Sequence, residues 1–131
     1  MPIKQFEDII AWQKAHVLAQ EVYSIFKSCR DFSFRDQIQR AVVSIMNNIA
    51  EGYERSGDKE LGRFFFIAKG SCGELRSMLY LALDLGYIDK ENFESMYSKS
   101  TEISKILSGF IAKHRNIRQL HGKSIPDASG S

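Results

Sequence analysis

An antiparallel up-down-up-down four-helix bundle, all-α and confined to one domain, is the fold this sequence predicts, and three observations carry that reading. Its two prolines, Pro2 and Pro126, lie at the ends, so the interior is free of the strongest helix breaker. Between them apolar residues recur at three- and four-residue steps in four long stretches, the period of an amphipathic helix. Short turn-forming clusters separate the stretches, and short connections make successive helices antiparallel neighbours. A chain of 131 residues can bury one core without disulfides or metal.

The first helix is expected from about Glu7 to Ser28, with Ile9, Trp12, Ala15, Ala19, Val22, Tyr23 and Phe26 inward. Trp12, the single tryptophan, reads as core because a buried indole removes a large area from water. Residues 29–32 break the pattern. Ser33, with Asp36 three residues on, resembles a capping box that opens the second helix, which ends near Gly52 or Tyr53. Residues 54–58 form the next turn, where Ser56 or Asp58 can cap the third helix. That helix runs from about Lys59 to Leu85, with Leu61, Phe64, Phe65, Ala68, Cys72, Leu75, Leu79 and Ala82 inside. Gly86 is placed to end it and Asp89 to cap the fourth. The last helix carries Phe93, Met96, Tyr97, Ile103, Ile106, Leu107, Phe110, Ile111 and Ile117, and fades near Leu120. The bundle domain is thus expected over 1–121, with 122–131 a disordered tail rich in Gly, Ser and Asp.

The second helix bears two stripes. At roughly 100° per residue, Ile38, Ala41, Val42, Ile45 and Ile49 share an apolar face, while Gln37, Arg40, Ser44, Asn48 and Glu51 stack beside it. A row of mixed donors and acceptors suits a hydrogen-bonded seam between helices or subunits, where each group needs a partner. The alternative is a polar flank facing water. Glu51 has Arg40 or Ser71 as candidate partners. In the third helix Gly70 and Gly73 interrupt an otherwise helical pattern, each costing about 0.5–1 kcal/mol relative to alanine, which points to close backbone packing. Ala68-Lys69-Gly70-Ser71 lacks the Gly-Lys-Ser/Thr order and the preceding strand of a phosphate loop.

Composition excludes more than it assigns. Cys29 and Cys72 are too few for a disulfide framework and fit a reducing compartment. His16, His114 and His121 are the histidines; the last two, seven residues apart, stand about 10 Å apart along a helix, too far to chelate one ion alone. Glu51 and Glu74 lack a nucleophile or histidine beside them, so no catalytic residue, metal or cofactor is assigned and an enzyme is not expected. Without a secretion signal or an apolar run of membrane-spanning length, the chain is expected in the cytoplasm. The formal charge is only +2, yet residues 113–123 hold Lys113, Arg115, Arg118 and Lys123 and no acid. Lys113, Arg115 and Arg118 are the candidate contacts to RNA or DNA phosphates, weighed against the plain tendency of cations to gather at a helix C-terminus.

Phe6, Trp12-Gln13-Lys14-Ala15, Gln37, Arg40-Ala41, Ser44-Ile45, Asn48-Ile49-Ala50-Glu51-Gly52, Ala68, Gly70-Ser71 and Glu74-Leu75 together resemble the small four-helix-bundle proteins encoded within intervening sequences of bacterial 23S ribosomal RNA genes. That family also includes the accessory variability protein of diversity-generating retroelements. The resemblance spans about residues 6–112. It implies a ring-shaped homopentamer, and, for the retroelement branch, binding of nucleic acid and a reverse transcriptase through a basic surface. This chain is only weakly basic by comparison. The expected function is a non-enzymatic oligomeric module that binds RNA or DNA; the alternative is a protein-binding scaffold without a nucleic-acid role.

Overall fold

Helix ends and helix faces together determine how this chain packs. The computed structural model describes residues 3–55 and 58–122, the side chains of 58, 59 and 114–122 excepted. A 3-10 turn at Phe6–Asp8 leads into α1 (Ile10–Ile25), followed by α2 (Phe32–Glu54), α3 (Asp58–Asp84) and α4 (Lys90–Gly122). The described residues contain no strand. Each helix packs on the next and α4 returns to α1, so α1 and α3 lie on one diagonal of the bundle and α2 and α4 on the other. Ile38, Val42, Ile45 and Ile49 of α2 join Phe65, Ala68, Cys72, Leu75 and Leu79 of α3 in a continuous core completed by Leu18, Val22, Met96, Ile103 and Leu107.

Three expectations about the first helix need correction. Its opening residues wind as the 3-10 turn and Ile9 is extended, with Gln13 Nε2 donating to the Glu7 carbonyl at 2.8 Å to bridge the break. Tyr23 is exposed, and Leu18 occupies the core in its place. Trp12 is half-buried at the rim, its ring 5.2 Å from Phe6 and stacked 4.9 Å from His16.

At the next boundary Asp31, rather than Ser33, caps α2, its Oδ1 accepting the Phe34 N–H at 3.1 Å. The carboxylate has a second task that favours it: Oδ2 accepts the Tyr87 hydroxyl at 2.7 Å, joining the α1–α2 connection to the α3–α4 connection. Gly86 ends α3 at φ 76°. Tyr87 N–H returns to the Ala82 carbonyl and Gly86 N–H to Leu83, the paired bonds of a Schellman motif. Asp89 Oδ1 then accepts the Asn92 N–H at 2.8 Å to start α4. Gly122 is the last residue of that helix; the expected tail beyond it, like Ser56, lies outside the described residues.

The Asp31–Tyr87 bond is pH-dependent in both directions. Hydrogen bonds from Tyr87 and then from the Phe34 N–H hold the Asp31 carboxyl below its ordinary 3.8, and the same pairing pushes Tyr87 above its ordinary 10.0. A lowered carboxyl stabilises the fold above the unfolded value and loses that contribution as pH falls through the folded one; the raised phenol loses its contribution as pH rises past its folded value. Tyr87→Phe is therefore expected to flatten the acid limb of the stability curve, read as melting temperature against pH between about 2 and 6. An unchanged slope would show that the bond carries no linkage.

Candidate functional site

The polar row of α2 divides into an open N-terminal end, a joined middle and a C-terminal end paired within the helix. Ser44 Oγ and Ser71 Oγ stand 2.9 Å apart across α2 and α3, while Asn48 Nδ2 donates to the Ser44 carbonyl at 2.8 Å and to its Oγ at 3.0 Å. Ser71 is buried, so this contact satisfies groups that would cost about 1–3 kcal/mol if left unpaired. Gln37 and Arg40, by contrast, are exposed and carry no side-chain partner among the described residues. Glu51 pairs with Arg55 of its own helix at 3.0 Å, not with Arg40 or Ser71.

Gly70 and Gly73 do not bring helices together inside the protomer. A Cβ at Gly70 would meet nothing within 4 Å, and one at Gly73 only the end of Arg76, at 3.9 Å. Close approach occurs instead at Gly52, where a Cβ would stand 2.9 Å from Phe64 Cβ and 3.4 Å from the Leu61 carbonyl oxygen. Reading Gly52 as a helix terminus hid this role; the available signal was Tyr53-Glu54, which can extend the helix past it.

The outward face of α3 is unusually apolar. Phe66 is 64% exposed, and Ile67, Tyr80, Leu81 and Leu85 are also exposed. Gly70, Gly73 and Ser77 lie between the two apolar ends. Toward α4, the Tyr80 ring packs 5.2 Å from Phe93 and 5.5 Å from Tyr97, and the Arg76 guanidinium lies 6.0 Å from the Tyr97 ring. Arg76 Nη1 also donates to Ser100 Oγ at 3.2 Å, and that hydroxyl donates to the Cys72 carbonyl at 3.1 Å. Sequence periodicity missed Ser100 because its hydroxyl is polar, although its three-residue spacing from Tyr97 and Ile103 places it on the inner stripe.

The chemistry offered by these groups is limited. Burial pushes the Cys72 thiol up to about 11, against the nearby Arg76 charge, so it is protonated at neutral pH and a poor nucleophile. A cleft of about 920 Å³ between the N-terminal segment, α1 and α4 is walled by Ile3, Ile9, Ile10, Ile106 and Phe110. Asp8 at its edge already accepts the Lys4 backbone N–H at 3.0 Å. Among the described residues no three His, Cys, Asp or Glu side chains gather as a metal site, and no helix is long and apolar enough to cross a membrane. At the far end of α4, Lys113 is exposed; the side chains of Arg115 and Arg118, with those of His114 and His121, lie outside the described residues.

A family model described as 23S rRNA-intervening sequence protein matches residues 7–109. The match takes in the α2 row, Gly52, Gly70 and Gly73 and ends before Lys113, Arg115 and Arg118. A crystal structure from Bacteroides thetaiotaomicron, of a protein with unknown function from the S23 ribosomal protein family, is similar to this chain at 27% identity and a TM-score of 0.73. The likeness covers 78% of this chain and 98% of that one. No curated protein matches the chain.

Proposed function

Because the chain belongs to the 23S rRNA-intervening sequence protein family, we propose that it is a non-enzymatic homo-oligomeric module, a pentamer by family resemblance, that presents the basic end of α4 to RNA or DNA. The exposed apolar face of α3 carries the assembly part of this reading. Two exposed apolar groups, Phe66 with Ile67 and Tyr80 with Leu81 and Leu85, on a helix that already has an inner core face support a site where the protein meets another surface. Two observations support the non-enzymatic part: the buried Cys72 thiol is protonated at neutral pH, and Glu51 is occupied by Arg55.

The nucleic-acid part rests on Lys113, Arg115 and Arg118, which no acid offsets between residues 113 and 123. Symmetry repeats such a cluster once per subunit, which raises the local positive field above what a net charge of +2 per chain suggests. Phosphate contacts carry no base information, so the triple substitution of Lys113, Arg115 and Arg118 by glutamine is expected to weaken binding to all tested RNA and DNA alike. It should flatten the plot of log affinity against log salt by up to about 0.9 for each duplex-DNA phosphate no longer neutralised, with the oligomer intact. Fluorescence anisotropy at several salt concentrations reads both quantities. Unchanged affinity and slope would reduce the cluster to a helix terminus, leaving a protein-binding scaffold, with a reverse transcriptase among the partners implied by resemblance, as the better reading.

A further inference from the structure

We propose that the outward face of α1 in one copy docks on the outward face of α3 in the next, head to tail and with the two helices parallel; this rests on the homo-oligomer reading above. The two helices occupy opposite corners of the bundle and each leaves apolar side chains exposed: Ile10, Val17 and Tyr23 on α1, and Phe66, Ile67 and Leu81 among those on α3. Their faces differ, so they suit a heterologous contact, which repeats around a closed ring, rather than a two-fold contact of like with like.

Register within the protomer gives the match. Phe34 packs its ring against both Phe26 and Tyr87, and Tyr87 bonds Asp31, so the ends of α1 and α3 stand at one level. Rotation about an axis along the bundle keeps that level and direction in the neighbouring copy. Counting back at about 1.5 Å per residue then brings Ile10 to the height of Phe66, Val17 to Gly73 and Tyr23 to Leu81, within about one turn. The sides agree as well. Ile10 and Val17 line one edge of the exposed face of α1, and His16 and Tyr23 the other; on α3, Phe66 and Gly73 line one edge, and Glu74 and Leu81 the other. Facing two parallel helices toward each other joins Val17 to Gly73 and Tyr23 to Leu81 at the same time. Val17 thus projects toward Gly73, where α3 has no side chain and a Cβ would meet only the flexible end of Arg76, at 3.9 Å, beside the open space outside Gly70.

Charge follows the same register. The α1 face exposes His16 and Lys27, while its nearby acid, Glu21, is held by Lys99 at 2.8 Å and by Ser95. The α3 face exposes Glu74 and Asp84, neither in an ion pair among the described residues. His16 stands level with Glu74 and Lys27 with Asp84, so donors on one copy meet free carboxylates on the next.

Cysteine pairing tests the contact in the full chain carrying Cys29→Ser, with Cys72 left buried. Copies bearing Val17→Cys and copies bearing Gly73→Cys, refolded together and mildly oxidised, are expected to form a covalent dimer, while neither variant alone does so. Gly73→Leu should keep its helical spectrum and melting behaviour at the protomer level but fall in mass to the 15.0 kDa chain. If the parent protein is an oligomer and Gly73→Leu is too, with no mixed cross-link, this docking is wrong while the assembly reading stands. Self-cross-linking of either single variant would overturn the head-to-tail arrangement. A monomeric parent would overturn the assembly reading and this inference with it.

Discussion

Gly52→Leu is expected to destabilise the bundle by at least about 1–3 kcal/mol, the usual cost of forcing extra methylenes into a filled contact. Phe64 Cβ, 2.9 Å from the position of the new Cβ, is fixed to the α3 backbone, and the Leu61 carbonyl oxygen at 3.4 Å is itself backbone. Neither can swing aside, so α2 and α3 must separate. Alanine is the sharper probe, since it gains up to about 1 kcal/mol of helix propensity and must still lose overall if the overlap dominates. Gly62 supplies the control: a Cβ there meets nothing within 4 Å, so Gly62→Ala should hold or raise stability. Urea unfolding of the three variants reads the difference, and a Gly52→Ala protein as stable as the parent would remove the close contact from the account.

Phe65 and Phe66 are adjacent and have opposite tasks. Phe65 is fully buried, with its ring 4.8 Å from that of Phe110, and Phe65→Ala is expected to cost about 3–5 kcal/mol in transfer and cavity energy. Phe66, 64% exposed, lacks comparable packing, so Phe66→Ala should change protomer stability by no more than about 0.5 kcal/mol, the range of ordinary surface substitutions. Its effect should fall on assembly instead. Chemical unfolding separates the two stabilities, and sedimentation at equal concentrations separates the two masses. Equal losses of protomer stability would mean that the α3 face is not a free surface.

Much of this architecture is legible because helices reveal their inner faces by spacing. The α3 core residues Phe64, Phe65, Ala68, Cys72, Leu75, Leu79 and Ala82 are buried as their three- and four-residue steps indicate. Gly86 and Asp89 are legible for a different reason, since each supplies a backbone freedom or an acceptor that few other residues offer. Ser33 misled because a capping box is a local pattern, whereas Asp31 is favoured by Tyr87, 56 residues away in sequence. The α2 row shows the same limit. Its polarity marks a contact, but only the distance between Ser44 and Ser71 distinguishes the joined middle from the open N-terminal end at Gln37 and Arg40. Gly70 and Gly73 announce a need for space without saying whose side chain fills it, and that question passes to a second copy of the chain.

Multi-angle light scattering of the unmodified protein across micromolar concentrations measures the central claim most directly, because it returns mass without assuming shape. A homo-oligomer built through the α1 and α3 faces should give a constant multiple of the 15.0 kDa chain, five copies if the family resemblance extends to subunit number. A mass of 15.0 kDa throughout that range would contradict it, leaving the apolar face of α3 to a different partner.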